Sequence, residues 1–292
     1  EYRRQRQMCI RDRISGTTID DVGGGLGISA ATLGLNAKGA IGALSGGGDG
    51  LTVDIQGLRV TNSGGNDIVI TDVGTGTLTL ARAVTGGAGN ISITKNIGDL
   101  LVSPTAGFAG DVVSTTGTVF LRDGNGLLSI GESITGSGIT LVSDRMSIGG
   151  AVNAGSGNVS IATAAAGRGI DIGSAVDTSA SALELSATEF SNISGAELSL
   201  GGASAGNIVV SSGVSVVPAV FSVQSAGSIT GSGALSGNGI RINAGGPITL
   251  TNLNASAVAA MSTGSGSTVT LGSTGTLTLG GATALGMGLA LR

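Results

Sequence analysis

An apolar–x–apolar triplet recurs along this chain at a constant interval. Val119-Phe120-Leu121, Ile139-Thr140-Leu141 and Val159-Ser160-Ile161 stand twenty residues apart, with Leu128-Ser129-Ile130 and Met146-Ser147-Ile148 offset between them. Alternation with a period of two is that of a strand with one buried face. Strands this short, fenced by glycine and repeated at one interval, predict a coil that stacks on itself. The same pattern runs through Val53-Asp54-Ile55, Ile68-Val69-Ile70, Ile91-Ser92-Ile93, Leu183-Glu184-Leu185, Leu198-Ser199-Leu200, Ile240-Arg241-Ile242 and Val269-Thr270-Leu271. The expectation is an all-β, single-stranded parallel β-helix of about 20 residues per coil. The outer two residues of each triplet point inward and the middle one outward. Ile139 and Val159, one period apart, should therefore stack directly.

An antiparallel sandwich is the competing architecture. It needs two-residue hairpin turns at regular places. Asn238-Gly239 and Asp123-Gly124 occur, but most joints read Gly-Ser-Gly or Gly-Gly, which suit corners. Residues 14–292 are expected to form one repeat domain, with weaker repeats over 14–50. Two stretches break the rhythm: 95–113, with Pro104 and Phe108, and 211–239, with Pro218 and Phe221. Proline cannot donate to a ladder, so both are expected to loop off the coil. Residues 1–13, EYRRQRQMCIRDR, hold the single Cys, the single Tyr and five Arg. They read as a non-native N-terminal scar and are set aside from the repeat domain.

Composition sharpens this picture. The 292 residues include 56 Gly and 3 Pro, without a Gly-X-Y period, which excludes collagen. The hydrophobic share is 40% and the aromatic share 2%, so the core must be aliphatic, and a disordered Gly/Ser linker is excluded. Net charge is −4, with five of the fourteen basic residues inside the first thirteen positions. The acidic remainder argues against nucleic-acid partners. One cysteine excludes an internal disulfide. No run of eighteen apolar residues exists, so no transmembrane helix is expected.

Candidate chemistry is thin. Gly202-Ala203-Ser204-Ala205-Gly206 matches a nucleophile-elbow pattern, but the chain has no histidine for a triad. Lacking histidine and a usable cysteine, it offers no zinc or copper site. Gly47-Gly48-Asp49-Gly50 and Asp123-Gly124-Asn125 faintly resemble calcium loops without their nonapeptide repetition. Asp171 and Glu184 are middle residues of successive triplets and could sit on neighbouring coils, with Arg168 and Arg241 joining them. That set is the basis for an alternative reading, a β-helix polysaccharide lyase or hydrolase. Thr77-Leu78-Thr79, Thr268-Val269-Thr270 and Thr276-Leu277-Thr278 raise an ice-binding ladder, interrupted elsewhere by Ser92, Ser129, Ser147, Asp171 and Glu184. No catalytic, cofactor-binding or metal residue is assigned, and no cofactor is expected.

The repeats Gly89-Asn90-Ile91-Ser92-Ile93, Gly157-Asn158-Val159-Ser160-Ile161 and Gly206-Asn207-Ile208-Val209-Val210 resemble those of filamentous-haemagglutinin-type exoproteins. The Gly-Thr-Leu-Thr-Leu copies at 76–80 and 275–279 resemble repeats of autotransporter passengers. The likeness covers roughly residues 51–281. It implies a right-handed β-helix exported through an outer-membrane transporter to present an adhesive surface. It implies a non-catalytic stalk segment, secreted or displayed at the bacterial cell surface. Its partners would be host-cell, matrix or neighbouring-cell surface molecules. No Asn-Pro-Asn export motif, signal peptide or barrel-forming end is visible, so an internal passenger fragment is expected. No functional residue carries over from the resemblance.

Overall fold

The computed structural model describes residues 11–16, 19, 27–42, 50–103, 113–176, 179–273, 278–284 and 289–291. These are strands and corners, with one short helix, Ala187–Ser191. Strand partners run parallel, as in Ile91↔Val119 and Ile139↔Val159, in a β-solenoid of about 21 residues per turn. The chain divides into two compact units, Glu1–Ser137 and Gly138–Arg292.

In the first unit, strands collect on three faces. Ile68–Asp72, Ile91–Lys95 and Thr118–Asp123 stack on one. On the second, residues 78–80 stack with Leu100–Val102 and Leu128–Ile130. On the third, 59–62, 82–85, Val113–Ser114 and Ile134–Thr135 follow one another. Three strands make one turn, so each inward residue lies over its counterpart.

The second unit repeats the plan. Gly138–Val142, Asn158–Ala162, Glu197–Gly201 and Val220–Ser225 form one ladder, continued by 239–244 and 257–262. Ile139 pairs with Val159 and Thr140 with Ser160, the expected register. Ile139, Leu141, Val159 and Ile161 are buried, while Thr140 and Ser160 face outward, half-covered by the neighbouring strands. The alternation thus sets the core directly: aliphatic side chains stack like on like, and burying each contributes about 1.5–3 kcal/mol.

The spacing is not constant. It is 20 residues from Ile139 to Val159, 39 from Val159 to Leu198 and 19 from Phe221 to Ile240. The long turn carries an additional strand. The chain enters Gly169–Ile172, crosses 173–181, and returns as Ala182–Leu185 alongside that same strand, with Ile170↔Leu183. It then forms the helix Ala187–Ser191 and continues into Ile193–Ser194, which pairs with Val152–Asn153. Ser186 caps the helix and Glu189 reciprocates, a capping box that lets one turn of helix replace a corner. Phe190 points into the core edge-on to Phe221, with ring centroids 5.8 Å apart.

Three sequence expectations need correction. Residues 211–239 do not loop off: Val214–Ser215, Val220–Ser225, Ile229–Gly231 and Leu235–Ala244 continue all three ladders. Phe221 is accommodated because Phe190 fills the space opposite it, and Pro218 sits in a corner where no ladder donor is needed. Within 95–113, Lys95 ends a strand, and Leu100–Val102 is itself a ladder strand. Pro104 and Phe108 lie outside the described residues. The segment set aside as a scar contributes Arg11, Asp12 and Arg13 to a strand paired with Thr32, Leu33 and Gly34. Residues 1–10 lie outside the described residues. Asn238-Gly239 lies inside the strand Leu235–Ala244 and makes no hairpin.

Corners are closed by a recurring device. The alternation that buries each triplet continues one step further, to a buried polar residue at the strand exit. Asn62, Asp72, Asp123, Ser143 and Ser225 occupy this place. Each side-chain oxygen accepts the backbone N–H two residues on, from Gly64 (2.9 Å), Gly74 (3.2 Å), Asn125 (3.0 Å), Arg145 (3.2 Å) and Gly227 (2.9 Å). This is the Asx- or ST-turn chemistry of short polar side chains, here turned inward where no water competes. Elsewhere the corner itself requires glycine. Gly173 has φ of 100°, and a side chain there would meet the backbone oxygen of Ser212 at 2.6 Å.

Candidate functional site

Asp171 and Glu184 come together as the sequence suggested, although 13 residues separate them and not a full turn. They are direct partners across the doubled strands. Neither carboxylate stands alone. Asp171 accepts a hydrogen bond from the Ser211 hydroxyl. Glu184 accepts from the Ser174 hydroxyl at 2.7 Å and from the Ser179 N–H at 2.8 Å. The two sides of Glu184 thereby tie both ends of the 173–181 crossing to the ladder.

Arg168 serves the same crossing. Its guanidinium donates to the carbonyls of Asp144 (2.9 Å), Ala180 (2.8 Å), Ser179 (2.9 Å) and Ala182 (3.0 Å). A planar fork with five donors suits this task, and the Asp144 carboxylate, 3.8 Å away, adds charge. Arg241 does not join the group. It lies on another ladder, opposite Ser222 and Ala259, largely exposed and 3.5 Å from Glu197. Beside it, Asn243, Ala259 and Met261 line a shallow depression of about 390 Å³.

The remaining candidates resolve into structure. Ser204 lies in the corner after Glu197–Gly201, where its carbonyl accepts the Gly167 N–H at 2.7 Å. Asp123 turns its side chain into the core, and the Asn125 side chain accepts the Gly98 N–H at 3.1 Å, so these oxygens do not converge on a cation. Residues 47–49 lie outside the described residues. Among the described residues, no group of three or more Cys, Asp or Glu could hold a metal. Thr79 stands between Gly57 and Leu101, so no threonine ladder forms there, whereas Thr230, Thr249 and Thr270 do stack.

The most unusual chemistry lies where the triplet reading stopped. Asp72, Lys95 and Asp123 are successive partners in one ladder, and all three are fully buried. Lys95 Nζ lies 2.6 Å from Asp72 Oδ2 and also donates to the Gly74 carbonyl at 2.6 Å. Asp72 Oδ1 accepts the N–H groups of Ile55 and Gly74, each at 3.2 Å. Asp123 Oδ1 accepts from Asn125 and Gly126, while its Oδ2 has no hydrogen-bond partner. Burial pushes the Asp123 carboxyl up; the N–H bonds from Gly126 and Asn125, with the nearby Leu100 N–H, oppose this, and nearby Asp99 adds to it. The signal was present in the sequence: two steps beyond Ile68-Val69-Ile70, Ile91-Ser92-Ile93 and Val119-Phe120-Leu121, the alternation lands on Asp72, Lys95 and Asp123.

Comparison with protein-family models, curated proteins and solved structures gave no match to this chain.

Proposed function

We propose that the chain is a structural and adhesive stalk segment of a secreted, surface-displayed bacterial exoprotein, acting by display and not by catalysis. One observation carries this reading. The charged residues nearest to a catalytic arrangement are engaged in structure: Glu184 and Arg168 hold the 173–181 crossing onto the coil, and Asp171 accepts the Ser211 hydroxyl of the following turn. The outward column of the neighbouring ladder, Thr140, Ser160, Ser199 and Ser222, is a row of small hydroxyls in register. Such a row presents a regular polar surface and no reactive group. Its partners would be host-cell, matrix or neighbouring-cell surface molecules, reached after export through an outer-membrane transporter. The β-helical fold and the repeat resemblance support that assignment. No helix among the described residues is long and apolar enough to cross a membrane.

A glycan lyase or hydrolase is the second reading, favoured by the direct apposition of Asp171 and Glu184. A screen of acidic and neutral glycans separates the two. The stalk reading expects no turnover, together with binding of the bead-coupled chain to matrix or cell-surface preparations. Turnover that disappears in Asp171→Ala or Glu184→Ala overturns it in favour of the enzyme.

A further inference from the structure

Lys95 and Asp72 are arranged for more than an ion pair. An ammonium and a carboxylate in an apolar interior are costly as charges. Attack by the amine requires one Lys95 proton to pass to the Asp72 carboxylate, and the 2.6 Å contact supplies the path. The oxygen not in that contact, Asp72 Oδ1, already receives two backbone N–H groups, from Ile55 and Gly74. Donors so placed stabilise the negative charge that develops on a carboxyl oxygen when a nucleophile adds to its carbon. The Gly74 carbonyl holds Nζ from another side. Both groups are fixed by adjacent turns of one ladder, so the reactants are held together at no further entropic cost.

From this geometry we infer that Lys95 and Asp72 join covalently, forming an intramolecular amide that links two turns of the first unit. Lys95 Nζ bonds to Asp72 Cγ, and the Cγ–Oδ2 bond breaks. Of the three ammonium protons, one remains as the amide N–H and two depart with Oδ2 as water. No oxidant or co-reactant is required. The product keeps every partner of the reactants: Oδ1 retains the Ile55 and Gly74 donors, and the new N–H faces the Gly74 carbonyl. Asp123, on the other side of Lys95 in the ladder, does not compete for the amine. Its Oδ2 makes no hydrogen bond, whereas Nζ lies against Asp72 Oδ2. The inference is independent of the stalk reading.

Mass spectrometry of the folded, full chain tests it. The expected mass is lower by one water. Proteolysis should then release a branched peptide joining the segments that contain residues 72 and 95, resistant to hydroxylamine. Lys95→Met and Asp72→Ala should each keep the full mass. A full mass in the unmodified sequence overturns the inference whatever the variants do. So does a water loss that persists in Lys95→Met, a branch to Asp123, or a hydroxylamine-sensitive succinimide at Asp123-Gly124.

Discussion

At the residue scale, one rule governs this chain: whatever stands at an inward position is buried, including a charge. Ile139 and Thr140 test it most directly. Ile139→Ala should cost about 2–5 kcal/mol through lost transfer energy and an unfilled cavity. Thr140→Ala should stay within about 0.5 kcal/mol, as expected of an outward position. Urea unfolding of the two variants measures the difference, and equal costs would contradict the in–out assignment. Asp123 gives the rule a pH dependence. Its carboxyl binds its proton more tightly in the fold than in the unfolded chain, where it titrates near 3.8. The stability it contributes is therefore present below that value and lost as pH rises through the raised folded pKa. Asp123→Asn removes this loss while keeping an acceptor for the Asn125 and Gly126 N–H groups. The variant should match the parent near pH 3 and become relatively more stable toward pH 7, as read from denaturant midpoints. The triplets were legible because aliphatic residues mark a buried face by type alone. Asp72, Lys95 and Asp123 were marked only by standing two steps beyond their triplets, and residue type hid them, because a charge at an inward position looks like a surface residue until the register of the strand is known.

At the scale of elements, the 39-residue turn departs furthest from the sequence reading. A fixed interval made Asp171 and Glu184 neighbours on successive coils, and the structure makes them neighbours on two strands of one enlarged turn. Periodicity alone does not separate these cases, since a crossing held by Arg168 and Glu184 leaves the triplet pattern untouched. The helix was missed for a related reason. Ser186 and Glu189 have capping-box spacing, but five residues are too few to show a helical period. Likewise Phe221 read as a disruption because its partner, Phe190, lies 31 residues away in sequence. Phe190→Ala and Phe221→Ala should each destabilise by about 3–5 kcal/mol. A double-mutant cycle should return a coupling of about 0.5–1.5 kcal/mol for the edge-to-face pair. Additive costs would show that the rings contribute only by filling volume.

At the scale of the whole molecule, both units obey the same arithmetic: a turn touches the turn before it and the turn after it, and its own sequence closes its corners. The parallel solenoid of the described residues was readable because that arithmetic repeats, whereas the proposed display role rests on a surface that composition barely marks. Like-on-like stacking also has a genetic consequence. Ile229 lies over Ile248, Leu235 over Leu253 and Ile240 over Val258, so residues 229–247 form a unit whose two ends are structurally equivalent. Unequal crossing-over that excises it leaves Ile208 facing Ile248, Val214 facing Leu253 and Phe221 facing Val258, aliphatic or aromatic on aliphatic at every rung. A chain lacking 229–247 should fold with an unchanged circular dichroism spectrum per residue, whereas a deletion ten residues long should not, since it sets corners over strands. Length in such a protein is then a heritable variable that recombination can adjust in steps of one turn, without a new core having to evolve each time.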